Sequence, residues 1–317
     1  MSRWESSRVP TVLISGAAGF VGRHVVREAG RHRASLRLMS HHRPVGPSPH
    51  TVVRADLAAP ASLHGVCEGV DVLIHCAARI GGSDEANEAV NARGTAALVA
   101  EARRAGVRRI VHLSTASVYG RGTFRGGRPA ELTRNPRSAT SRTRAAAEDA
   151  VLAAGGTVLR PHLVYGVGDV WVLPGLAGLL RALPGGVAGW TAAMSLVSAT
   201  DLARLLVASA LAPAGTLTES VYHAVHPAPV AAYDLLRAAA ACTGAPWPQQ
   251  RQITADRARS VLRTHREAAY ALDLMTSDHV FDGAPLWREL RLAPGPCFGS
   301  DFPRLAGWYR TSLVTAA

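Results

Sequence analysis

Gly16, Gly19 and Gly22 recur at three-residue spacing between an apolar run, Thr11-Val12-Leu13-Ile14, and an amphipathic stretch at 23–28. Residues of this kind do chemistry through their backbone. Glycine permits a tight turn, and without a Cβ it lets the chain approach a bound anion closely. A helix that starts in such a turn adds free N–H groups and a partial positive charge. The arrangement is a seat for a dinucleotide pyrophosphate, with Phe20 and Val21 carried beside the phosphates. The plainer alternative is a glycine-rich strand-to-helix turn with no ligand. The strand before it and the helix after it favour the seat.

Further residues able to contact a ligand follow other apolar runs. Ser40-His41-His42-Arg43 offers a hydroxyl, imidazoles and a guanidinium. In Arg54-Ala55-Asp56-Leu57, Asp56 could accept from an adenine amino group or cap a helix, and Leu57 lies beside it. The small residues of Cys76-Ala77-Ala78-Arg79 allow a cofactor to lie close. Leu113-Ser114-Thr115 presents hydroxyls, and Arg160-Pro161-His162 brings Pro161 and an imidazole.

The elements that must carry these residues are legible as alternation. Apolar runs at 12–14, 35–39, 51–54, 70–75, 109–114 and 157–160 alternate with helical patterns at 23–29, 61–68, 85–105 and 142–153. Continuous apolar strands separated by helices imply an α/β fold, a Rossmann-type doubly wound parallel sheet. Ligands of such sheets bind at the carboxyl ends of the strands, where the residues above fall. The expected organisation is a dinucleotide-binding domain at 1–166 and a smaller C-terminal substrate lobe at 167–317, with 190–225 returning strands to the sheet. Within 190–225, strands are expected at 195–198 and 221–224, and a helix at 200–210 with Thr200 as N-cap. A further helix is expected at 233–243, whereas 245–299 shows little periodicity.

Composition excludes several classes. No apolar run approaches the roughly 20 residues of a membrane span, and the first ten residues lack a signal-peptide core, so a cytoplasmic protein is expected. Four separated cysteines fit reduced thiols better than a disulfide framework or a zinc site. The formal charge is +12, and all 35 basic residues are arginine. They are scattered, with only 5% aromatics, so an arginine- and alanine-rich composition explains the charge better than nucleic-acid binding, and a basic surface could also steer an anionic substrate into a cleft.

In their order, these motifs resemble the extended short-chain dehydrogenase/reductase family of nucleotide-sugar epimerases, dehydratases and ketoreductases, over nearly the whole chain. Leu38-Met39-Ser40-His41-His42-Arg43-Pro44 and Ala77-Ala78-Arg79-Ile80-Gly81-Gly82 are similar to reductases of 4-keto-6-deoxy nucleotide sugars. The resemblance implies a bound nicotinamide cofactor and a homodimer built through 85–105 and 142–153. An acid at the end of the second strand would hold the ribose of NAD and repel a 2′-phosphate. Ser40, His41 and Arg43 stand there instead, which favours NADP over NAD.

The resemblance breaks at the acid/base. The family places a Tyr-x-x-x-Lys pair on the helix after the fifth strand, where the lysine binds the nicotinamide ribose and lowers the tyrosine pKa. Pro136 and Glu148 frame the positions, and they read Thr140 and Arg144. Thr115 fills the family's Ser/Thr position at the end of the fifth strand. Arg144 can still donate to ribose hydroxyls, but an aliphatic hydroxyl has no pKa in the range where a phenol, near 10, titrates. The expected catalytic set is therefore Thr115, Thr140, Arg144 and His162, with Tyr119 and Tyr165 as further proton sources. Three readings stay open: hydride transfer with a substitute acid, a non-redox reaction on the same fold, and NADP binding without turnover. The substrate expected is a small keto or hydroxy compound, a nucleotide sugar or a secondary-metabolite intermediate.

Overall fold

A computed structural model describes residues 8–46, 48–247 and 252–314. Seven strands form the central sheet: β1 Thr11–Ser15, β2 Ser35–Ser40, β3 Thr51–Arg54, β4 Val72–His75, β5 Arg109–Leu113, β6 Thr157–Arg160 and β7 Val221–His223. Their order is β3-β2-β1-β4-β5-β6-β7, and every pairing is parallel. The winding reverses between β1 and β4, which opens a crevice at their carboxyl ends.

The strands are apolar throughout because both faces are covered. Val12 and Ile14 pack with α1 (Phe20–Ala29), while Leu13, between them, packs against the opposite layer. That layer holds α2 (Gly94–Arg104) and α3 (Ala139–Ala153), through Leu98, Val99 and Val151. A separate apolar cluster holds α4 (Val172–Ala182) against α6 (Ala232–Thr243), α7 (Arg266–Met275) and α8 (Phe298–Val314), while α5 (Ala199–Leu211) joins the α1 side of the sheet.

Several elements differ from the sequence expectation. The helix expected at 61–68 is a single 3-10 turn, Pro60–Leu63, because Gly65 and Gly69 take left-handed φ of +79° and +68° and reverse the chain. The segment 85–105 is interrupted: a short α-turn, Asp84–Asn87, runs through a π-turn, Glu88–Arg93, into α2. Helix α1 starts at Phe20, three residues before the expected start, which puts Phe20 and Val21 in its first turn. Ser198, not Thr200, caps α5: its hydroxyl accepts from the Asp201 N–H at 3.0 Å. The aperiodic stretch 245–299 contains Ala255–Val261, α7 and Ala284–Glu289. These helices are short and bury only one or two residues each, so their sequence carries little periodic signal.

Candidate functional site

The three glycines of the first turn have different tasks. Gly16 has φ +69°, and a Cβ there would lie 2.7 Å from the Ala77 nitrogen. A Cβ on Gly22 would lie 2.0 Å from the Gly16 carbonyl oxygen. These two close the turn against β4 and against itself. On Gly19 a Cβ would meet only the Gly16 carbonyl, at 3.0 Å. Gly19 is also the N-cap of α1 and offers no side-chain acceptor to the first-turn N–H groups. No side chain caps those donors at the switch point, which is the condition for seating a pyrophosphate.

Phe20 packs edge-on to His24 with ring centroids 6.1 Å apart, and His24 meets the Val167 carbonyl at 2.9 Å. The loop after Tyr165 is thereby held across the start of α1. Asp169 fixes the same loop by accepting from the N–H groups of Trp171, Val172 and Leu173 and from the Tyr309 hydroxyl. Tyr309 itself accepts from the Gly166 N–H at 2.8 Å, so the C-terminal helix α8 braces the loop.

At the ends of β2 and β3, two expected ligand residues pair with each other. His41 Nε2 lies 3.1 Å from Asp56 Oδ2, and Asp56 Oδ1 accepts from the Ala58 N–H at 2.8 Å. Ser40 donates to the Arg43 carbonyl at 3.1 Å, and the Arg43 side chain is exposed. Asp56 thus acts as a local cap here, and its partner histidine belongs to the same rim. Leu57 is buried, and its carbonyl sits 2.5 Å from where a Cβ on Gly94 would be.

After β4, Cys76 and Ala77 lie against the glycine turn, and Ala78 and Arg79 lead outward. Asn91, buried on the π-turn, holds this loop by accepting from the Arg79 N–H at 2.8 Å and donating to the Arg79 carbonyl at 2.9 Å. Asn87, one turn earlier, donates to the carbonyls of Gly81 and Ser83. The two asparagines are absent from the residues singled out above as ligand contacts. Their spacing of four on a helix was the available signal.

Thr140, in the tyrosine position, belongs to this asparagine cluster. Its hydroxyl donates to Asn87 Oδ1 at 3.1 Å and accepts from the Gly81 N–H at 3.3 Å. Arg144, one turn further along α3, is 6% exposed and donates to the Leu113 carbonyl at the end of β5. Burial pulls its pKa down to about 10, so it is a cation at neutral pH. Burial also pushes the neighbouring Cys76 thiol up to about 12, and that thiol is neutral. Thr115 is partly exposed, and its hydroxyl contacts only the adjacent Ser117.

Of the other proton sources, the two tyrosines are occupied. Arg160 donates to the Tyr119 hydroxyl at 2.7 Å, and arginine cannot accept, so Tyr119 donates to His223 Nε2, also at 2.7 Å. Burial raises the Tyr119 pKa. Tyr165 donates to Asp301, and burial and that carboxylate raise its pKa. His162 stacks on His279 at 5.2 Å beside Phe281, and burial drives its pKa down to about 3. At that value roughly one molecule in 10⁴ carries the imidazolium at pH 7. His162 therefore frames the site as a neutral ring. Pro161 fixes the same turn through its carbonyl, which accepts from the Ala116 N–H at 2.7 Å.

The residues present suit a dinucleotide: an uncapped glycine turn, small residues beside it, and a buried cation and a hydroxyl beyond them. Comparison with known proteins gives a consistent picture. Residues 12–224 match the model of the NAD dependent epimerase/dehydratase family. The chain is 31% identical over 255 residues to a 2-alkyl-3-oxoalkanoate reductase of Stenotrophomonas maltophilia, covering 74% of this chain and 76% of that one. It is 33% identical over 218 residues to a ceramide reductase of Caulobacter vibrioides, covering 66% and 63%. Among solved structures, the Bordetella bronchiseptica enzyme WbmH in complex with NAD+ superposes with a TM-score of 0.74 at 18% identity, over 98% of this chain and 99% of that one. A dTDP-glucose 4,6-dehydratase from Streptomyces venezuelae with NAD and TYD bound superposes at 0.71 with 22% identity, over 95% and 97%.

Proposed function

The chain belongs to the NAD-dependent epimerase/dehydratase family and is an enzyme of the short-chain dehydrogenase/reductase type, and from that premise we propose that it moves hydride between a nicotinamide cofactor and a keto or hydroxy carbon. The open N-terminus of α1 at Gly19, set at the switch point of the sheet, carries this reading. A bound nicotinamide supplies the hydride. Arg144 holds a fixed positive charge beside the ribose position, and the Thr115 hydroxyl donates to the substrate oxygen. Ketone reduction also needs a proton at that oxygen. Thr140 is engaged with Asn87 and Gly81, Tyr119 and Tyr165 are engaged elsewhere, and His162 is neutral. Water relayed through Thr115 is the donor that these contacts leave.

NADP is the proposed cofactor, with Ser40, His41 and Arg43 around the 2′-phosphate. The substrate proposed is a secondary-metabolite intermediate with an apolar body. Ile80, on the loop after β4, and Val170 and Trp171, on the loop over α1, are all at least half exposed at the strand ends. The relatives at 31% and 33% identity are named for an oxoalkanoate and a ceramide. A nucleotide sugar is the second candidate, favoured by the basic surface. Cytoplasmic location and a homodimer complete the proposal.

Calorimetry with NADPH and NADH, followed by cofactor oxidation with a panel of 3-oxoacyl compounds, cyclic ketones and nucleotide 4-keto-6-deoxy sugars, tests the reading. Tight NADPH binding with turnover of an apolar ketone is expected. Failure to bind either cofactor would overturn it. Tight binding with no turnover of any ketone, alcohol or nucleotide sugar would favour an NADP sensor, the reading that the engaged Thr140 supports.

A further inference from the structure

The end of β5 is gripped from three sides, and one residue joins the grips. Glu148, fully buried on α3, takes a paired contact from Arg160 at the end of β6: Nε to Oε1 at 2.9 Å and Nη2 to Oε2 at 2.6 Å. The same Oε1 accepts from the Ser114 hydroxyl. Arg134 adds a longer contact to Oε2 at 3.4 Å. Arg160 carries the network on to Tyr119. The backbone is tied as well: Ser114 N–H donates to Leu159 at 2.8 Å and Ala116 N–H to Pro161 at 2.7 Å. Arg144, four residues before Glu148 on the same helix face, holds the Leu113 carbonyl. Residues 113, 114 and 116 are therefore each fixed by another element, and Thr115 between them bonds only within its own turn: its hydroxyl donates to Ser117 Oγ and accepts from the Ser117 N–H, and its carbonyl accepts from the Val118 N–H.

We infer that Glu148 is a positioning residue, which acts through Ser114 to hold the Thr115 hydroxyl toward the reacting oxygen. A buried carboxylate costs desolvation, and a paired arginine offsets it only when the remaining lone pairs are also satisfied. Satisfying one of them with Ser114 couples the ion pair to the neighbour of the reactive hydroxyl. Buried Ser114 is thus spent on structure, whereas Thr115 beside it is partly exposed. The catalytic part of this inference rests on the hydride-transfer reading above.

Ser114→Ala tests it, because it removes the link and leaves the Arg160–Glu148 pair intact. Two measurements separate the inference from the function on which it rests. Hydrogen exchange at the Ser117 amide, whose N–H donates to Thr115 Oγ1, reports the threonine orientation without cofactor or substrate. The variant is expected to speed exchange there severalfold and leave β1 and β4 unchanged. In turnover, kcat is expected to fall about fivefold with KM and cofactor Kd unchanged. In a Thr115→Val background Ser114→Ala is expected to cost nothing further, since its effect passes through Thr115. Unchanged exchange at Ser117 would overturn the positioning, whatever the protein's activity. Changed exchange with unchanged kcat, or a full additional loss in the Thr115→Val background, would overturn its role in turnover. A wild-type protein without hydride transfer would refute the function, while the exchange arm would still decide the positioning.

Discussion

At the scale of single residues, the glycine turn separates ligand binding from folding. Gly19→Val meets only the Gly16 carbonyl, at a tight 3.0 Å, so the protein is expected to fold with a slightly lowered Tm and to lose NADPH binding by calorimetry. Gly16→Val acts differently. Its left-handed backbone and the Ala77 nitrogen 2.7 Å from the new Cβ oppose the native turn. The expected cost is about 2 kcal/mol or more in denaturant unfolding. Equal behaviour of the two variants would show that the turn has no ligand-facing side. Thr140→Ala removes a hydroxyl that ties two loops and carries no titratable proton. It should lower stability by about 1 kcal/mol and slow turnover less than tenfold. A loss of several orders of magnitude in kcat would instead make Thr140 a participant in the chemistry.

At the scale of elements, the strands carry histidines at their buried carboxyl ends. His75 on β4 lies between Ser15 and Thr95, at 2.6 and 2.8 Å, and His223 closes β7. Burial drives both down to about 3, as it does His162 beyond β6. The folded protein holds them neutral, whereas the unfolded chain protonates them below its ordinary pKa near 6.5. Between those values the unfolded state binds more protons, so stability falls as pH falls. The linkage reaches about 2 kcal/mol per histidine at pH 5. Three such groups are comparable with the stability of an ordinary domain. Urea midpoints are expected to be flat above pH 7 and to drop steeply toward pH 5; a flat profile down to pH 5 would show that the rings are hydrated.

At the scale of the whole molecule, the C-terminal helix braces a loop beside the glycine turn of the N-terminal sheet. Tyr309 joins α8 to the loop that crosses α1, through Gly166 and Asp169. Tyr309→Phe leaves a buried N–H without its partner and removes one of the donors to Asp169. A stability loss of about 2 kcal/mol is expected, with weaker NADPH binding by calorimetry because the loop flanks the glycine turn. Unchanged affinity would place the loop away from the cofactor. The proposed dimer belongs to this scale too. Light scattering after gel filtration is expected to give twice the 33.3 kDa chain mass, and a monomer would remove it.

The sheet and the glycine turn at its switch point were legible from one dimension. Strands buried on both faces need continuous apolar runs, and a turn at φ +69° needs glycine, so Thr11–Ser15 and Gly16 state their own roles. The absence of the family's lysine was equally plain, because the chain contains none, whereas the assignment of the pair's positions to Thr140 and Arg144 rests on the resemblance. What those two side chains do was decided only in three dimensions. Thr140 meets Asn87 and Gly81, more than fifty positions earlier, and Arg144 meets Leu113, 31 positions away. Glu148 marked a register in the sequence, whereas in the fold it is bonded to Ser114 and Arg160. The neutrality of His162 and the engagement of Tyr119 and Tyr165 likewise depend on burial and on partners from distant elements. Residue type sets which proton a side chain can carry, but desolvation and the nearest donor or acceptor set whether it does, and both exist only once distant segments of the chain have packed together.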